Sequence, residues 1–266
     1  MTSLARLHAT LDTMGGIAVA VSGGIDSLTL ATAAHRAMRG SVTMHHAISP
    51  AVPGEATERT RVLAASEGWT LDVFDAGEFA DPAYRANPGN RCFFCKTSLY
   101  GAVARRTTQQ VVSGTNLDDL GEYRPGLEAA RAHAVRHPFV EAGIDKRMVR
   151  ALAAELGLGT LSELPSSPCL SSRIETGIRI EAPVLAMVHD AEKLVSARLG
   201  PRTVRCRVRA AGVVIELDEP TLAALDPAQA GRLRVELQEL AEAAGLRAPV
   251  RFAAYRNGSA FLRVPA

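Results

Sequence analysis

The sequence predicts an α/β fold: a parallel sheet covered by helices, followed by a smaller C-terminal α+β domain. Three observations carry this. Short apolar, β-branched runs alternate with stretches of helical period in the first part of the chain. A two-glycine turn joins the first such run to the first long helical stretch. The character then changes after LPSSPCLSS, a proline and serine stretch without a period.

Taken in order, GIAVAV reads as a buried strand, and DSLTLATAAHRAMRG as a helix with Leu28, Ala31, Thr32 and His35 at helical spacing before Gly40 stops it. SVTMHHAIS reads as a second strand, EATERTRVLAASEGW as a helix and TLDVFDA as a third strand. After another helical stretch, VVSGTN reads as a fourth strand. A helix from about Asp145 to Gly157, capped by Asp145 and with Met148, Leu152 and Leu156 on one stripe, closes this domain. Beyond the change of character, a long amphipathic helix runs from Pro183 to Leu199. TVRCRVRA and GVVIELD read as paired strands, and DPAQAGRLRVELQELAEAAGL as a helix with Leu233, Leu237 and Leu240 in register. PVRFAAYRNGSAFLRVP reads as a hairpin turning at Asn257 and Gly258. The expected boundary falls near residues 160–180, giving domains 1–165 and 166–266.

At 266 residues and 47% apolar side chains, the chain can bury one good core and a smaller module. A net charge of +2, from 30 basic and 28 acidic residues, provides no strong field toward nucleic acid or an anionic membrane. No signal peptide is readable, and no run of about 18 apolar residues continues without a charge. A cytoplasmic protein is the expectation. Four cysteines are too few for a disulfide framework, which leaves thiols available for metal or chemistry.

Chemistry becomes legible in AVSGGIDS, residues 20–27. Where a parallel strand ends and a helix begins, unpaired backbone N–H groups and the positive end of the helix dipole together bind phosphate. Gly23 and Gly24 let that backbone approach closely, Ser22 and Ser27 add hydroxyls, and Asp26 supplies an oxygen for magnesium. The same pattern also suits a tight strand-to-helix turn that binds nothing. The lysine of a Walker loop is absent, and so is GxGxxG. SGGIDS resembles the PP-loop of the N-type ATP pyrophosphatases. That resemblance implies cleavage of ATP between the α and β phosphates, with AMP passed to a substrate oxygen. A loop that holds the β and γ phosphates makes pyrophosphate a stabilised leaving group, so catalysis there is positioning and charge neutralisation.

The cysteines narrow the chemistry. NPGNRCFFCK carries Cys92 and Cys95, and PSSPCLSSR adds Cys169 from across the expected boundary. The CxxC pair fits a redox dithiol, half a zinc site or coincidence. With one distant cysteine it also suits a 4Fe-4S cluster held by three thiolates, whose fourth iron takes an exogenous ligand such as sulfide. Cys206 reads as core, because it alternates with arginines and shares a face with Val204 and Val208.

SGGIDS, NPGNRCFFCK, SGTNLDDLGEYRPGLEAA, HPFVEAGIDKRMVRALAAELGL and LPSSPCLSSRI stand in the order, and at about the spacing, of the LarE-type sulfur transferases, which the chain resembles across residues 22–174. The resemblance implies an N-terminal PP-loop domain and a smaller domain for substrate and oligomerisation. It implies a role in making the nickel-pincer nucleotide cofactor: adenylation of a carboxylate on a pyridinium dicarboxylate mononucleotide, then sulfur delivery to give a thiocarboxylate. Some members give up the sulfur of one cysteine. Others, with three, resemble cluster enzymes. All three are present here, so Cys92, Cys95 and Cys169 are the expected cluster ligands, with Cys169 alone as the sacrificial alternative. The expected cofactors are ATP, Mg2+ and a 4Fe-4S cluster. The expected partners are a small nucleotide substrate, a sulfur donor left open and further copies of the chain.

Further site residues follow from position. Arg173, beside Cys169, is expected to pair with a phosphate or carboxylate of the substrate. GTNLDDLGEYRPG begins at a strand's carboxyl end, where Gly114, Thr115 and Asn116 are expected to meet the nucleotide. Asp118 and Asp119 ligand magnesium, fix substrate or cap a helix, with Asp119 counted as catalytic beside Cys169 and Arg173. Arg124 is a further anion partner, and Lys96 meets phosphate or solvent. Arg205, Arg207 and Arg209 share one strand face as an anion site, and Glu216 on the next strand is an expected metal ligand. The sequence departs from the family pattern at this end: VVIE lacks an arginine, no histidine separates Arg205 from Glu216, and Leu164 stands where a lysine is common. Two other classes compete. A tRNA thiolation enzyme of the PP-loop class would want a basic face or an RNA-binding domain, and neither is evident. A non-catalytic nucleotide-binding regulator would be free to lose Asp26, Asp118 and Asp119, and all are present.

Overall fold

The computed structural model describes residues 1–38, 40–121, 125–164 and 168–261. The chain divides into two compact units, Met1–Asp81 with Asn90–Ser167, and Pro82–Gly89 with Pro168–Ala266.

The first unit opens with a helix that the apolar pattern did not announce, α1 (Ser3–Leu11), capped by the Thr2 hydroxyl. Strands and helices then alternate: β1 (Ile17–Ala20), α2 (Ile25–Ala37), β2 (Val42–Ile48), α3 (Gly54–Glu67) and β3 (Leu71–Asp75). The chain next passes through α4 (Pro82–Arg85), which belongs to the second unit, and returns as α5 (Arg91–Ala104) and β4 (Gln110–Ser113). The helices α6 (Pro125–Ala132), α7 (Pro138–Glu141) and α8 (Lys146–Glu155) complete it. Asp145 caps α8 as expected, its Oδ1 accepting from the Met148 amide at 2.7 Å.

All four strands are parallel, in the order β3-β2-β1-β4. Successive side chains of β1 face opposite ways. Ile17 and Val19 enter a core with Leu7, Leu28 and Leu152, while Ala18 and Ala20 enter another with Tyr100, Val103 and Ala129. Helices therefore cover both faces, which is why β1 is apolar throughout. The chain moves outward from β1 through β2 to β3 and then crosses to the other side of β1 for β4. That reversal opens a crevice at the carboxyl ends of β1 and β4, the place where open parallel sheets bind ligands.

The second unit holds α9 (Ala182–Leu199), the antiparallel pair β5 (Val204–Arg209) and β6 (Gly212–Leu217), then α10 (Glu219–Ala224), α11 (Pro227–Ala243) and β7 (Val250–Ala254). The first arm of the hairpin expected to turn at Asn257 and Gly258 is β7, which pairs in parallel with β6, giving the order β5-β6-β7. The long α11 supplies the crossover that a parallel pair needs, and β6 offers β7 its open edge. The returning arm of that hairpin, beyond Phe261, lies outside the described residues. Residues 82–89 are stitched into this unit by polar bonds. Arg85 pairs with Glu181, and the Asn87 amide donates to Glu175 O at 2.8 Å and Ile178 O at 2.9 Å. Among the described residues no helix is long and apolar enough to cross a membrane.

Candidate functional site

The SGGIDS turn connects β1 to α2 at the carboxyl edge of the sheet. Gly24 stands at the N-cap of α2 with no side-chain cap, so the first amides of a 13-residue helix face the crevice without a capping group from that residue. Gly23 has φ +77, and a Cβ there would stand 2.5 Å from Ala56 O. Gly114, in the loop after β4, is pressed against the same turn: its Cβ would lie 2.8 Å from Asp26 C and Ser27 N. Two loops from either side of the switch point thus interlock through glycines.

Inside the turn, Ser27 acts as a brace. Its Oγ accepts from the Ser22 amide at 3.0 Å and donates to Gly24 O at 3.0 Å, while Ser22 Oγ lies 3.2 Å from it. Ser22 is exposed and Ser27 buried, so of the two expected hydroxyls Ser22 faces outward.

Asp26 is the charged centre. Lys146, the first residue of α8, places Nζ 2.6 Å from Asp26 Oδ1 and 2.5 Å from Oδ2, and the Asn116 side-chain Nδ2 approaches Oδ1 at 3.4 Å. Asp118 and Asp119 both take local roles. The Lys146 backbone N–H donates to Asp118 Oδ2 at 3.2 Å, and the Asn116 backbone N–H donates to Asp119 Oδ2 at 3.0 Å. Ser113 Oγ bridges Thr115 Oγ1 at 3.0 Å and His137 Nδ1 at 2.9 Å. Burial holds His137 below the usual histidine range despite the nearby Glu141 and Asp119. Arg124 lies outside the described residues.

Lys146 was missed in the residue-by-residue reading. Its signal was a local conflict: a cation in the first turn of a helix opposes the helix dipole, so a reason other than helix stability has to hold it there.

Cys92 and Cys95 lie one turn apart on α5, both half-buried, so their side chains share a helix face. Lys96, the next residue, sits 5.8 Å from the centre of the Tyr100 ring. Neither unit by itself, among the described residues, gathers three or more His, Cys, Asp or Glu side chains around one point.

In the second unit, Cys169 is exposed at the start of a short 3-10 turn, Leu170–Arg173. Arg173, expected to pair with a phosphate or carboxylate of the substrate, instead makes its bidentate pair inside the protein, with Glu192 of α9, at 2.9 and 3.1 Å. Its Nη1 donates to Pro168 O at 2.6 Å and Cys169 O at 3.2 Å, and the residue is 3% exposed. The guanidinium therefore clamps the backbone that presents the Cys169 thiol. Ser171 Oγ, 2.7 Å from the Tyr84 hydroxyl, ties the same turn down.

The arginine strand alternates as expected, with Val204, Cys206 and Val208 buried in the core. Burial pushes the Cys206 thiol far up. On the other face, Glu216 Oε2 accepts from Arg207 Nε at 3.0 Å, and Oε1 accepts from Arg209 Nη2 and Ser259 Oγ, both at 2.7 Å. Burial raises this carboxyl, and the Ser259 hydroxyl and both guanidinia outweigh it, leaving it below the usual range. The expected metal ligand is thus engaged by cations. Arg207 also donates to Ser172 O at 3.0 Å, and burial lowers Arg205, which stands 6.0 Å from the Tyr255 ring centre.

No family model matches the chain. An uncharacterized protein of Synechocystis sp. is 36% identical over 193 residues, 71% of this chain and 71% of that protein. The pyridinium-3,5-bisthiocarboxylic acid mononucleotide synthase of Lactiplantibacillus plantarum is 32% identical over 223 residues, 82% of this chain and 80% of that protein. An uncharacterized protein of Methanocaldococcus jannaschii is 27% identical over 186 residues, 67% and 69% of the two chains.

Proposed function

The chain belongs to the LarE-type sulfur transferase family, and from that premise we propose that it is an ATP-dependent, AMP-forming enzyme making a thiocarboxylate on a pyridinium dicarboxylate mononucleotide, in nickel-pincer cofactor biosynthesis. The observation that carries the ATP half of this reading is the meeting of Asp26, Lys146 and Asn116 over the glycine turn at the sheet's switch point.

In the first step an acceptor carboxylate oxygen attacks the α phosphorus, the bond to the bridging αβ oxygen breaks, and pyrophosphate leaves. Gly23, Gly24 and the amides opening α2 would hold the β and γ phosphates, and Asp26 would hold a magnesium ion, which supplies charge shielding for them. Lys146, which pairs with Asp26, would turn its ammonium to the leaving pyrophosphate where Asp26 holds magnesium. In the second step a sulfide attacks the acyl carbon, and AMP departs with the former carboxyl oxygen. The donor set fits a three-thiolate cluster in kind: Cys92 and Cys95 share one face of α5, and Cys169 is an exposed thiol on a clamped turn. Cys92, Cys95 and Cys169 would hold such a cluster, whose chemistry would be to supply the sulfide. Arg173 positions the Cys169 backbone, while Arg205 is the arginine of this strand that would meet the acceptor's phosphate, Arg207 and Arg209 being paired with Glu216.

The test joins two measurements on protein purified without oxygen. AMP and pyrophosphate release should depend on the pyridinium dicarboxylate mononucleotide, and iron and acid-labile sulfide, at about four each per chain, should disappear in Cys92→Ala. Release driven instead by tRNA would overturn the acceptor. Absence of iron after reconstitution, with Cys169 losing the mass of one hydrogen sulfide on turnover, would replace the cluster by a sacrificial cysteine.

A further inference from the structure

The phosphate loop rests on a wall formed by β2 and the first turns of α3. Val21 O, at the entrance to the loop, accepts from His46 Nδ1 at 2.8 Å, and Gly23 O accepts from Arg59 Nε at 2.9 Å. His46 is fully buried on β2, and its other ring nitrogen lies 2.9 Å from Thr57 Oγ1 on α3. A carbonyl only accepts, so Nδ1 carries the proton, and in the neutral ring Nε2 accepts a hydrogen bond from the Thr57 hydroxyl. Burial pushes His46 below the usual histidine range, against the pull of the Val21 bond, which keeps the ring neutral at pH 7. Gly23 presses on the same wall at Ala56 O.

These two bonds fix more than two oxygens. In a trans peptide the C=O and the next N–H point in opposite directions. The Val21 carbonyl shares its peptide with the Ser22 N–H, and the Gly23 carbonyl shares its peptide with the Gly24 N–H. Pinning both oxygens to the wall turns both N–H groups the other way, into the turn. There the Ser22 amide donates to Ser27 Oγ at 3.0 Å and the Gly24 amide approaches Ser22 Oγ at 3.4 Å. We propose that His46 and Arg59 are positioning residues of the phosphate loop: Arg59 turns the Gly24 amide toward the β and γ phosphates of ATP, and His46 holds the Ser22 amide on the Ser27 brace that shapes the turn. This rests on the ATP reading above and deepens it. Neither residue has to touch the nucleotide: the direction of the amides is set from behind.

The experiment is calorimetric titration of the full chain with magnesium pyrophosphate, magnesium ATP and AMP, in wild type, His46→Leu, His46→Asn and Arg59→Met. Asparagine puts an amide N–H near the place of Nδ1–H and so restores the bond to Val21. Pyrophosphate and ATP affinities should fall about tenfold in His46→Leu and Arg59→Met, the scale of one lost buried hydrogen bond, and recover in His46→Asn. AMP, which lacks the β and γ phosphates, should hold within about twofold, a split that general loosening of the fold would not produce. Unchanged pyrophosphate affinity in both variants, equal losses for AMP and pyrophosphate, or no recovery with asparagine would each overturn the proposal. If His46→Leu does not fold, Arg59→Met, at a half-buried position, decides alone. A wild type that binds neither pyrophosphate nor ATP would instead overturn the nucleotide reading, and this inference with it.

Discussion

Replacing Gly23 by alanine puts a methyl group 2.5 Å from Ala56 O and 2.9 Å from Ala56 C, at φ +77. Both neighbours are backbone in a helix and cannot swing aside. The left-handed backbone costs roughly 1–2 kcal/mol and the overpacking roughly 1–3 kcal/mol, so about 2–5 kcal/mol of stability should be lost. Gly114→Ala meets Asp26 C and Ser27 N at 2.8 Å without a positive φ, so only the overpacking remains, roughly 1–3 kcal/mol. At Gly24 the nearest atom is Ser22 Oγ at 3.5 Å, an ordinary contact, and the change should stay within about 1 kcal/mol. Urea denaturation followed by circular dichroism should rank the losses Gly23 above Gly114 above Gly24. Pyrophosphate titration should separate function from stability, because Gly24→Ala keeps the fold yet sets a methyl where phosphate must approach the start of α2. A Gly24→Ala chain as unstable as Gly23→Ala, or a Gly23→Ala chain within about 0.5 kcal/mol of wild type, would refute the reasoning.

Lys146→Met should weaken magnesium ATP at least about tenfold by titration while stability changes by less than about 1 kcal/mol, because the Lys146–Asp26 pair is partly exposed. Unaltered affinity would remove Lys146 from the site. Native alkylation read by peptide mass should modify Cys169 early and Cys206 only on unfolding, since one is exposed and the other buried with its thiol pushed up. Equal rates would contradict the burial. Stability should also depend on pH. His45, His46 and His137 are all held below the usual range chiefly by burial, so the unfolded chain binds protons first as pH falls. Their contribution is complete above about pH 6.5 and declines below it, toward the folded values. The urea midpoint should therefore drop between about pH 7.5 and pH 5.5, and a midpoint that rises across that window would contradict the assignment.

Much of the fold was legible because its signals are local. The apolar GIAVAV run, the glycine pair and the helical spacing after it specify strand, turn and helix within a few residues of one another. The capping role of Asp145 and the alternation of Val204, Cys206 and Val208 with arginines could be read for the same reason. The parallel pairing of β7 with β6 was not legible, because a turn signal says that the chain bends and not which strand it joins; that partner lies across α11. The excursion of residues 82–89 into the second unit left no mark in composition, since its ties run from Arg85 to Glu181 and from Asn87 to Ile178.

By itself, then, the sequence determined the order of strands and helices, the glycine turn between strand and helix at residues 22–27 and the residue types available for chemistry. Only the tertiary structure decided what each charge does: Lys146 meets Asp26, Arg173 holds the Cys169 turn through Glu192, Glu216 is engaged by Arg207 and Arg209, and His46 and Arg59 stand behind the loop. The physical reason is range. Propensity and periodicity act over one or two turns of chain, whereas a charged side chain finds its partner wherever strand order and register bring one within hydrogen-bond distance.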